Sequence, residues 1–329
     1  MTPDEKIVKQ VVALLRQRGQ KALELSKKTI LNERIEYAPL REALQYFIDE
    51  VWLKVLHPGL LSVYCEAVGG DPDETTQIGA SMVLLVGAAD IHDDVIDQST
   101  MKDHSPTIFG KFGKDIAVLA GDALLIEGVY LLFAATARFP ESKRTKILGL
   151  IKQAFFDLSS AEAYEASYRG RLDMSGKVYL EIIKRKVAVA EATAKIGAIL
   201  GEGTANEIEI LGDYGHTLGL LLTIRDEFID VFEPNELANR NEKEILPLPI
   251  LYTFENPERR EKIVQLLKDK LTQEKTEKIL DIVMEANETH QLKKEMKRLV
   301  SHGVREVASL EACRNILDLL LQSTIEDLK

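Results

Sequence analysis

The amino-acid sequence predicts an all-α protein that forms a single domain with buried central helices. Apolar residues recur at helical spacing through nearly the whole chain, and helix-start signals such as Thr2-Pro3-Asp4-Glu5 and Asn256-Pro257 precede them. Alternating β-branched runs with turn dipeptides are missing, so we expect no sheet. No linker or low-complexity tract interrupts residues 1–329, which are therefore assigned to one domain.

Proline, glycine and capping residues set the expected helix limits. Pro39 and Pro58 each stand at a first helical position, and Gly69-Gly70 ends the third helix. The stretch Asp71-Pro72-Asp73-Glu74 starts the fourth helix, and Ser105-Pro106 starts a short one. The other expected helices span residues 3–28, 39–54, 114–139, 141–168, 175–200 and 204–232, and amphipathic helices follow from 256 to the end.

The composition is typical of a globular intracellular protein. With a net charge of -11, the chain disfavours nucleic acid or an anionic membrane as its main partner. No run of about 18 uncharged apolar residues is present, so we expect no membrane span. Cys65 and Cys313 show no metal-site spacing and the N-terminus does not resemble a signal peptide, which together favour a reduced cytoplasmic setting.

The first acidic cluster, Asp93, Asp94 and Asp97, closes a long apolar segment. Asp93 and Asp97 are four residues apart and share one face of a helix. Carboxylates crowded in this way repel each other unless a cation joins them. Hard divalent cations such as Mg²⁺ take oxygen ligands, usually one or two carboxylates together with substrate phosphates.

The second acidic cluster, Asp226, Glu227 and Asp230, repeats this arrangement far downstream. It also follows an apolar run, Leu218 to Ile224, which is not typical of a solvent-exposed helix. A pair of acids at helical spacing is usually part of a solvated face, but the repetition favours a site. Two clusters facing each other would hold metal ions and a diphosphate between them.

Further motifs follow the clusters in order: Pro106-Thr107, Gly121-Asp122-Ala123-Leu124-Leu125, Lys186, Lys243 and Leu246-Pro247. With the two clusters, this series resembles the trans-isoprenyl diphosphate synthases, or polyprenyl synthetases, over roughly residues 50–255. The resemblance implies a helical bundle around a central cavity, of the isoprenoid synthase type. It also implies a homodimer or a hetero-oligomer with a homologue.

The resemblance further implies a Mg²⁺-dependent transfer of a prenyl group from an allylic prenyl diphosphate to isopentenyl diphosphate. The metal ligands would be the six acids of the two clusters, with up to three Mg²⁺ ions bound. Asp93, Asp94, Asp97, Lys186 and Asp226 would carry the ionisation step. Lys102, Lys186 and Lys243 would bind the diphosphate.

The isopentenyl diphosphate site departs from the family pattern. The family's Gly-Gly-Lys-Arg-x-Arg-Pro stretch is Trp52-Leu53-Lys54-Val55-Leu56-His57-Pro58 here. Lys54 is retained, His57 replaces an arginine, Val86 stands at a histidine position, and Lys102-Asp103 stands at an Arg-Arg pair. Neutral histidine is a poor substitute for an arginine that binds a phosphate through two hydrogen bonds.

Three functions therefore remain open. In the first, the chain elongates prenyl diphosphates, and the isopentenyl diphosphate site is rebuilt from other basic residues: Lys54, His57, Lys102 and His104. Alternatively, it passes the cation to another acceptor or cyclises it. A third alternative is a non-catalytic partner subunit of a hetero-oligomeric synthase.

The residues one turn before the first acidic cluster bear on chain length. The family places bulky aromatic residues there to stop the growing chain, whereas this sequence has Ala88 and Ala89, with an apolar wall continued by Val86 and Met82. Small residues also permit close helix packing. We expect a deep pocket for a substrate of about twenty carbons or more, as the resemblance implies.

Overall fold

The computed structural model describes residues 3–51, 56–102, 105–268, 270–310 and 312–325. The described N-terminal half is built from helices α1 (Pro3–Leu31), α2 (Ala38–Tyr46), α3 (Leu56–Ala67), α4 (Thr76–Asp97), α5 (Ile108–Phe112), α6 (Lys114–Thr136) and α7 (Glu141–Ser167). The remaining helices are α8 (Gly176–Lys186), α9 (Ala188–Leu200), α10 (Ala205–Phe232), α11 (Pro234–Lys243), α12 (Leu248–Thr253), α13 (Pro257–Leu267), α14 (Gln273–Met284), α15 (Asn287–Glu306) and α16 (Arg314–Ser323). The prediction of an all-α fold is confirmed.

Three buried apolar clusters hold the bundle together. One joins α4 and α6 with α2, a second joins α4 with α7 and α9, and the largest surrounds α10. Of the helices that carry the acidic clusters, α4 contributes to the first two of these apolar clusters and α10 to the third. Burial of these apolar surfaces is the main force that places the two helix ends.

Several helix limits differ from the sequence prediction. The segment after α2 winds as a π-helix from Phe47 to Val51, where a continuous α-helix to 54 was expected. The expected helix 175–200 is broken at Val187 into α8 and α9. The break ends α8 at Lys186, and a cation in the last turn of a helix is stabilised by the helix dipole.

A short hairpin replaces the helix expected at Ser105-Pro106, and the prediction of no sheet was wrong in this detail. Strands β1 (Met101–Lys102) and β2 (Ser105–Pro106) pair antiparallel, with Lys102 opposite Ser105. Helix α5 begins only after Thr107, whose hydroxyl accepts a hydrogen bond from the Gly110 N–H. Proline at 106 supplies no N–H and fits an edge strand.

Helix α6 is the described helix that is long and apolar enough, by length and composition, to cross a membrane. It packs along α4 in the bundle. One of its faces stays exposed and carries Ile126, Tyr130 and Phe133, of which Tyr130 is 69% exposed.

Candidate active site

The two acidic clusters lie at the C-terminal ends of α4 and α10. Asp94 is buried, whereas Asp93 and Asp97 are half-buried. In the second cluster Glu227 is buried, Asp230 is half-buried and Asp226 is exposed. Neighbouring members of each cluster thus point in different directions, as successive residues of a helix must.

Contacts from α11 and from the segment after α7 surround the C-terminal end of α4. The Lys243 Nζ at the end of α11 donates to the Gln98 carbonyl oxygen, directly after the first cluster, at 3.3 Å. The Gly170 N–H donates to the Glu244 carbonyl oxygen at 3.2 Å. Arg169, which sequence reasoning missed, donates from Nη2 to the Asp97 carboxylate at 2.5 Å. Lys243 and Arg169 therefore both lie next to the first cluster.

Lys186 lies between two carboxylates of α7. Its Nζ is 2.5 Å from Glu165 Oε2 and 3.1 Å from Glu162 Oε1. Burial opposes the charge on Lys186, but Glu165, Glu162 and Asp93 raise the pKa of the ammonium above its usual range. Lys186 is therefore a charged group held next to the first acidic cluster.

Arg240 of α11 pairs with two acids of the second acidic cluster. Its Nη2 lies 2.8 Å from both carboxylate oxygens of Glu227, and its Nη1 lies 3.3 Å from Asp230 Oδ2. The Leu248 N–H donates to Glu227 Oε2 at 2.7 Å. Glu227, which was predicted as a metal ligand, is only 5% exposed. Its carboxylate is bound by Arg240.

Lys102, predicted to bind substrate, lies on the hairpin beside the first cluster. Its Nζ is 2.7 Å from Asp90 Oδ1 and 3.7 Å from Asp94 Oδ1. Asp90 was not among the predicted site residues, although its spacing, one helical turn before Asp94, was a usable signal. The carboxylates raise the pKa of Lys102 above its usual range despite burial, so the ammonium stays charged.

His57, predicted to bind substrate, faces α9. Its Nδ1 lies 3.2 Å from Thr193 Oγ1, and the Thr193 hydroxyl already donates to the Val189 carbonyl at 2.7 Å. Oγ1 therefore accepts from His57, which fixes the histidine proton on Nδ1. Lys54, Asp103 and His104, the other basic or acidic positions of this predicted site, lie outside the described residues.

An apolar wall extends from the first cluster along one face of α4. Ala89 is four residues before Asp93, and Val86 and Met82 continue the same face. Val86 and Met82 line a small apolar cavity opposite Phe155 of α7, together with Leu85, Ile151, Ala154, Val189 and Ala192. The apolar wall predicted from Val86 and Met82 is therefore present, but the cavity along it has a volume of about 10 Å³, where a deep pocket was expected.

Ala88, predicted to line the pocket beside Ala89, packs elsewhere. It is 1% exposed and belongs to the apolar cluster between α4 and α6, with Phe47 and Leu124. Adjacent helical residues point about 100° apart, so Ala88 and Ala89 serve different surfaces. Ala89, which is half-buried, lies on the same helix face as Val86 and Met82.

The Gly121-Asp122 motif supports His92. A Cβ atom at position 121 would lie 2.4 Å from His92 Nε2, so only glycine leaves room for the ring. The same Nε2 is 3.4 Å from Asp122 Oδ1 and 3.4 Å from the Val118 carbonyl oxygen. The motif thus fixes α4 against α6 immediately before Asp93.

The donor set of the site fits hard divalent cations. The described residues hold no group of three or more Asp, Glu, His or Cys side chains already arranged around one point. However, Asp93 Oδ1 is buried with no hydrogen-bond partner in the described part of the chain. An unpartnered carboxylate oxygen is costly to bury and is the ligand type that Mg²⁺ prefers.

Burial raises the pKa of four carboxyl groups in the site. Burial, with smaller contributions from nearby acids, raises the pKa of Asp97 to about 6, Asp230 to about 7, and Glu162 and Glu244 to about 8. Glu165 is the exception: burial raises its pKa, but Lys186 and Arg240 hold it below the usual range.

These shifts predict the pH dependence of stability for the metal-free protein. Between pH 4.5 and 8 the folded chain binds more protons at these four groups than the unfolded chain, so the free energy of unfolding falls as pH rises. We expect a loss of about 2–4 kcal/mol from pH 5.5 to 8.5. Thermal unfolding in EDTA measures it, and a Tm that rises over this interval contradicts the prediction.

The architecture matches the all-α prenyl synthase fold. Geranylgeranyl pyrophosphate synthetase from Pyrococcus horikoshii OT3 superposes with a TM-score of 0.83, covering 98% of this chain and 99% of that chain at 21% sequence identity. The polyprenyl synthetase family pattern matches residues 38–283. The chain belongs to the polyprenyl synthetase family.

Two curated relatives share part of their length with this chain. A short chain isoprenyl diphosphate synthase from Methanothermobacter thermautotrophicus is 33% identical over 185 residues, which cover 56% of this chain and 56% of that protein. Large subunit 1 of a heterodimeric geranylgeranyl pyrophosphate synthase from Arabidopsis thaliana, chloroplastic, is 30% identical over 247 residues, covering 69% and 66%. The matches thus span between half and two thirds of these relatives.

Proposed function

We propose that the chain is a trans-prenyltransferase that ionises an allylic prenyl diphosphate and transfers the prenyl cation to isopentenyl diphosphate. The observation that carries this proposal is that Lys186 lies next to Asp93, while its partner Glu165 shares the Tyr179 hydroxyl with Glu227 of the second cluster. The names of the relatives, which are isoprenyl and geranylgeranyl diphosphate synthases, support the same reaction.

Metal ions would be held by the carboxylates of the two acidic clusters. Asp93, Asp94 and Asp97 would act from one side, and Asp226 and Asp230 from the other, with Glu227 behind them. Mg²⁺, when bound, offsets the charge of the diphosphate leaving group. Up to three ions accord with the large excess of carboxylates.

Lysine side chains would bind the diphosphate. Lys186 is held charged by its two glutamates, and Lys243 lies next to the end of the first cluster, with its Nζ on the Gln98 carbonyl oxygen. Lys102 is charged and lies on the other side of Asp94. Charge-assisted hydrogen bonds to the departing oxygen atoms grow stronger as the carbon–oxygen bond breaks, and this lowers the barrier.

The apolar wall below Asp93 would receive the prenyl chain. Ala89, Val86 and Met82 lead away from the acids to the cavity opposite Phe155. An apolar surrounding keeps water from a carbocation and favours attack by the bound acceptor. Transfer forms a new carbon–carbon bond, and the proton lost from the acceptor goes to the released diphosphate.

Product analysis tests the proposal. Purified protein receives Mg²⁺ and geranyl, farnesyl or geranylgeranyl diphosphate, with and without isopentenyl diphosphate, and the products are identified by mass spectrometry. We expect elongated diphosphates that form only when isopentenyl diphosphate is present. Lack of turnover by the chain alone, with activity restored by a homologue, would refute it in favour of a partner subunit.

Transfer to another acceptor is the second candidate, and two contacts favour it. His57, which replaces an arginine of the family, is turned to Thr193, and Lys102 is neutralised in part by Asp90. These arrangements weaken an anion site for isopentenyl diphosphate. Hydrocarbon or alcohol products formed without isopentenyl diphosphate would establish this alternative.

In this proposal the substrate has about twenty carbons or more, and Ala89 sets the length of the product. Ala89→Phe places a ring on the wall one turn below Asp93, so we expect products at least one isoprene unit shorter. Chromatography of the products after dephosphorylation measures the change. Ala13→Phe, on an exposed position of α1, should leave the length unchanged, and an unaltered length in Ala89→Phe excludes this role.

A second copy of the chain is the partner proposed for the exposed face of α6. Ile126, Tyr130 and Phe133 form an exposed apolar stripe on α6. Apolar patches of this kind mark protein interfaces. Light scattering should show a dimer that Tyr130→Asp together with Phe133→Asp converts to a monomer. A wild-type monomer would reject the homodimer, and a dimer formed only with a homologue would indicate a hetero-oligomer.

A further inference from the structure

A continuous line of buried polar groups joins the second acidic cluster to Lys186. Arg240 Nη2 lies 3.0 Å from the Tyr179 hydroxyl oxygen as well as 2.8 Å from both oxygens of Glu227. The Tyr179 hydroxyl lies 2.8 Å from Glu165 Oε1, and Glu165 Oε2 lies 2.5 Å from Lys186 Nζ. This line starts at a residue of α11 and ends at the predicted diphosphate ligand on α8.

Hydrogen positions give the line a direction. The Arg240 Nη2 carries two protons, one of which is directed to the Glu227 carboxylate and the other to the Tyr179 oxygen. The single Tyr179 proton then has two carboxylates in reach, Glu165 at 2.8 Å and Glu227 at 2.9 Å. Glu227 is already supplied by Arg240 and the Leu248 N–H, so the proton is directed to Glu165.

Because these groups are buried, losing one of the contacts leaves a polar group without a partner. Tyr179 is 1% exposed and the Arg240 side chain is 9% exposed, so water does not substitute for a lost partner. Arg240 also donates from Nε to the Ile245 carbonyl at 2.7 Å and from Nη1 to Asp230 at 3.3 Å. Its guanidinium is thereby fixed from three sides, as a planar five-donor group can be.

We propose that Arg240 and Tyr179 are positioning residues that couple the two halves of the ionising site. Arg240 orients Asp230 toward the metal side. Through Tyr179 and Glu165, it also fixes Lys186 for the diphosphate. This inference rests on the proposed function, because it assigns partners to the same metal and diphosphate groups.

Tyr179→Phe tests the line without removing a charge. We expect diphosphate to bind about 5- to 10-fold more weakly at saturating Mn²⁺, while the affinity for Mn²⁺ alone stays unchanged. Calorimetry with inorganic diphosphate and MnCl₂ on the full chain measures both constants. Tyr214→Phe is the matched control, since this buried hydroxyl donates to the Leu317 carbonyl at 2.7 Å, away from the site.

A double-mutant cycle separates coupling from a local packing defect. If Tyr179 acts through Lys186, then Tyr179→Phe has no further effect on diphosphate binding in a Lys186→Met background. Additive effects overturn the proposal. Arg240→Met should weaken both Mn²⁺ and diphosphate binding by about 10- to 100-fold, as loss of a group that orients metal ligands does.

The test distinguishes this inference from the proposed function. A wild-type chain that binds neither Mn²⁺ nor diphosphate contradicts the proposed function itself. A wild-type chain that binds both, with Tyr179→Phe unchanged, contradicts the coupling alone. Tyr179→Phe decides the matter even if Arg240→Met fails to fold.

Discussion

Asp93→Asn should lower kcat by more than about a thousandfold while leaving the fold intact. The substitution removes the charge of the cluster member whose Oδ1 is buried without a hydrogen-bond partner in the described structure. Asp93 repels Asp97, Glu162 and Glu244 but attracts Lys186 and Lys102, so its removal has opposing effects on stability. We expect the free energy of unfolding without metal to change by less than about 1 kcal/mol.

Steady-state kinetics and urea unfolding in EDTA check the two parts of this prediction. Asp213→Asn, an exposed acid on α10, provides the control and should change neither quantity. Activity within tenfold of the wild type would remove Asp93 from the proposed metal ligands. A large loss of stability would instead assign Asp93 a structural role.

Arg240→Met should destabilise the protein by about 3–5 kcal/mol. The substitution leaves the buried Glu227 carboxylate without its cation, and desolvation then disfavours the charged form. Chemical unfolding at pH 7.5 measures the loss. Arg298→Met, which removes an arginine from an exposed pair with Glu295, should cost less than about 0.5 kcal/mol.

The double variant Arg240→Met/Glu227→Gln should recover most of that stability. Glutamine removes the unpaired charge and keeps an oxygen that accepts from the Leu248 N–H. Replacing both members of a buried ion pair is commonly near neutral. If the double variant is as unstable as Arg240→Met, then packing of the arginine, rather than charge, accounts for the loss.

The sequence predicted the fold class, and the acidic clusters at the ends of two apolar helices, because both depend on local patterns. Helix-start signals were accurate where capping was strong, as at Thr204, whose capping box with Glu207 begins α10. The same signals were misleading at Ser105-Pro106, where pairing with residues 101–102 gives a hairpin instead. Pairing between strands is a tertiary effect that helix propensity does not contain.

The arginines that pair with the acids were not predicted from the sequence. Arg169 follows α7 in a loop, and no spacing rule relates it to Asp97. Arg240 was not among the predicted site residues, whereas the structure pairs it with Glu227 and Asp230. Such long-range ion pairs are set by helix packing, so a single sequence leaves them undetermined.

Arginines pair with Asp97, Glu227 and Asp230, so we expect the chain to fold without any metal. In zinc fingers the ion supplies the free energy of folding, and chelators unfold them. Here guanidinium groups supply the countercharge during synthesis, and the core of α4, α6 and α10 is apolar. Availability of Mg²⁺ in the cell would therefore govern turnover, but not the amount of folded protein. An unchanged circular dichroism spectrum in excess EDTA is the expected sign, and unfolding by EDTA would contradict it.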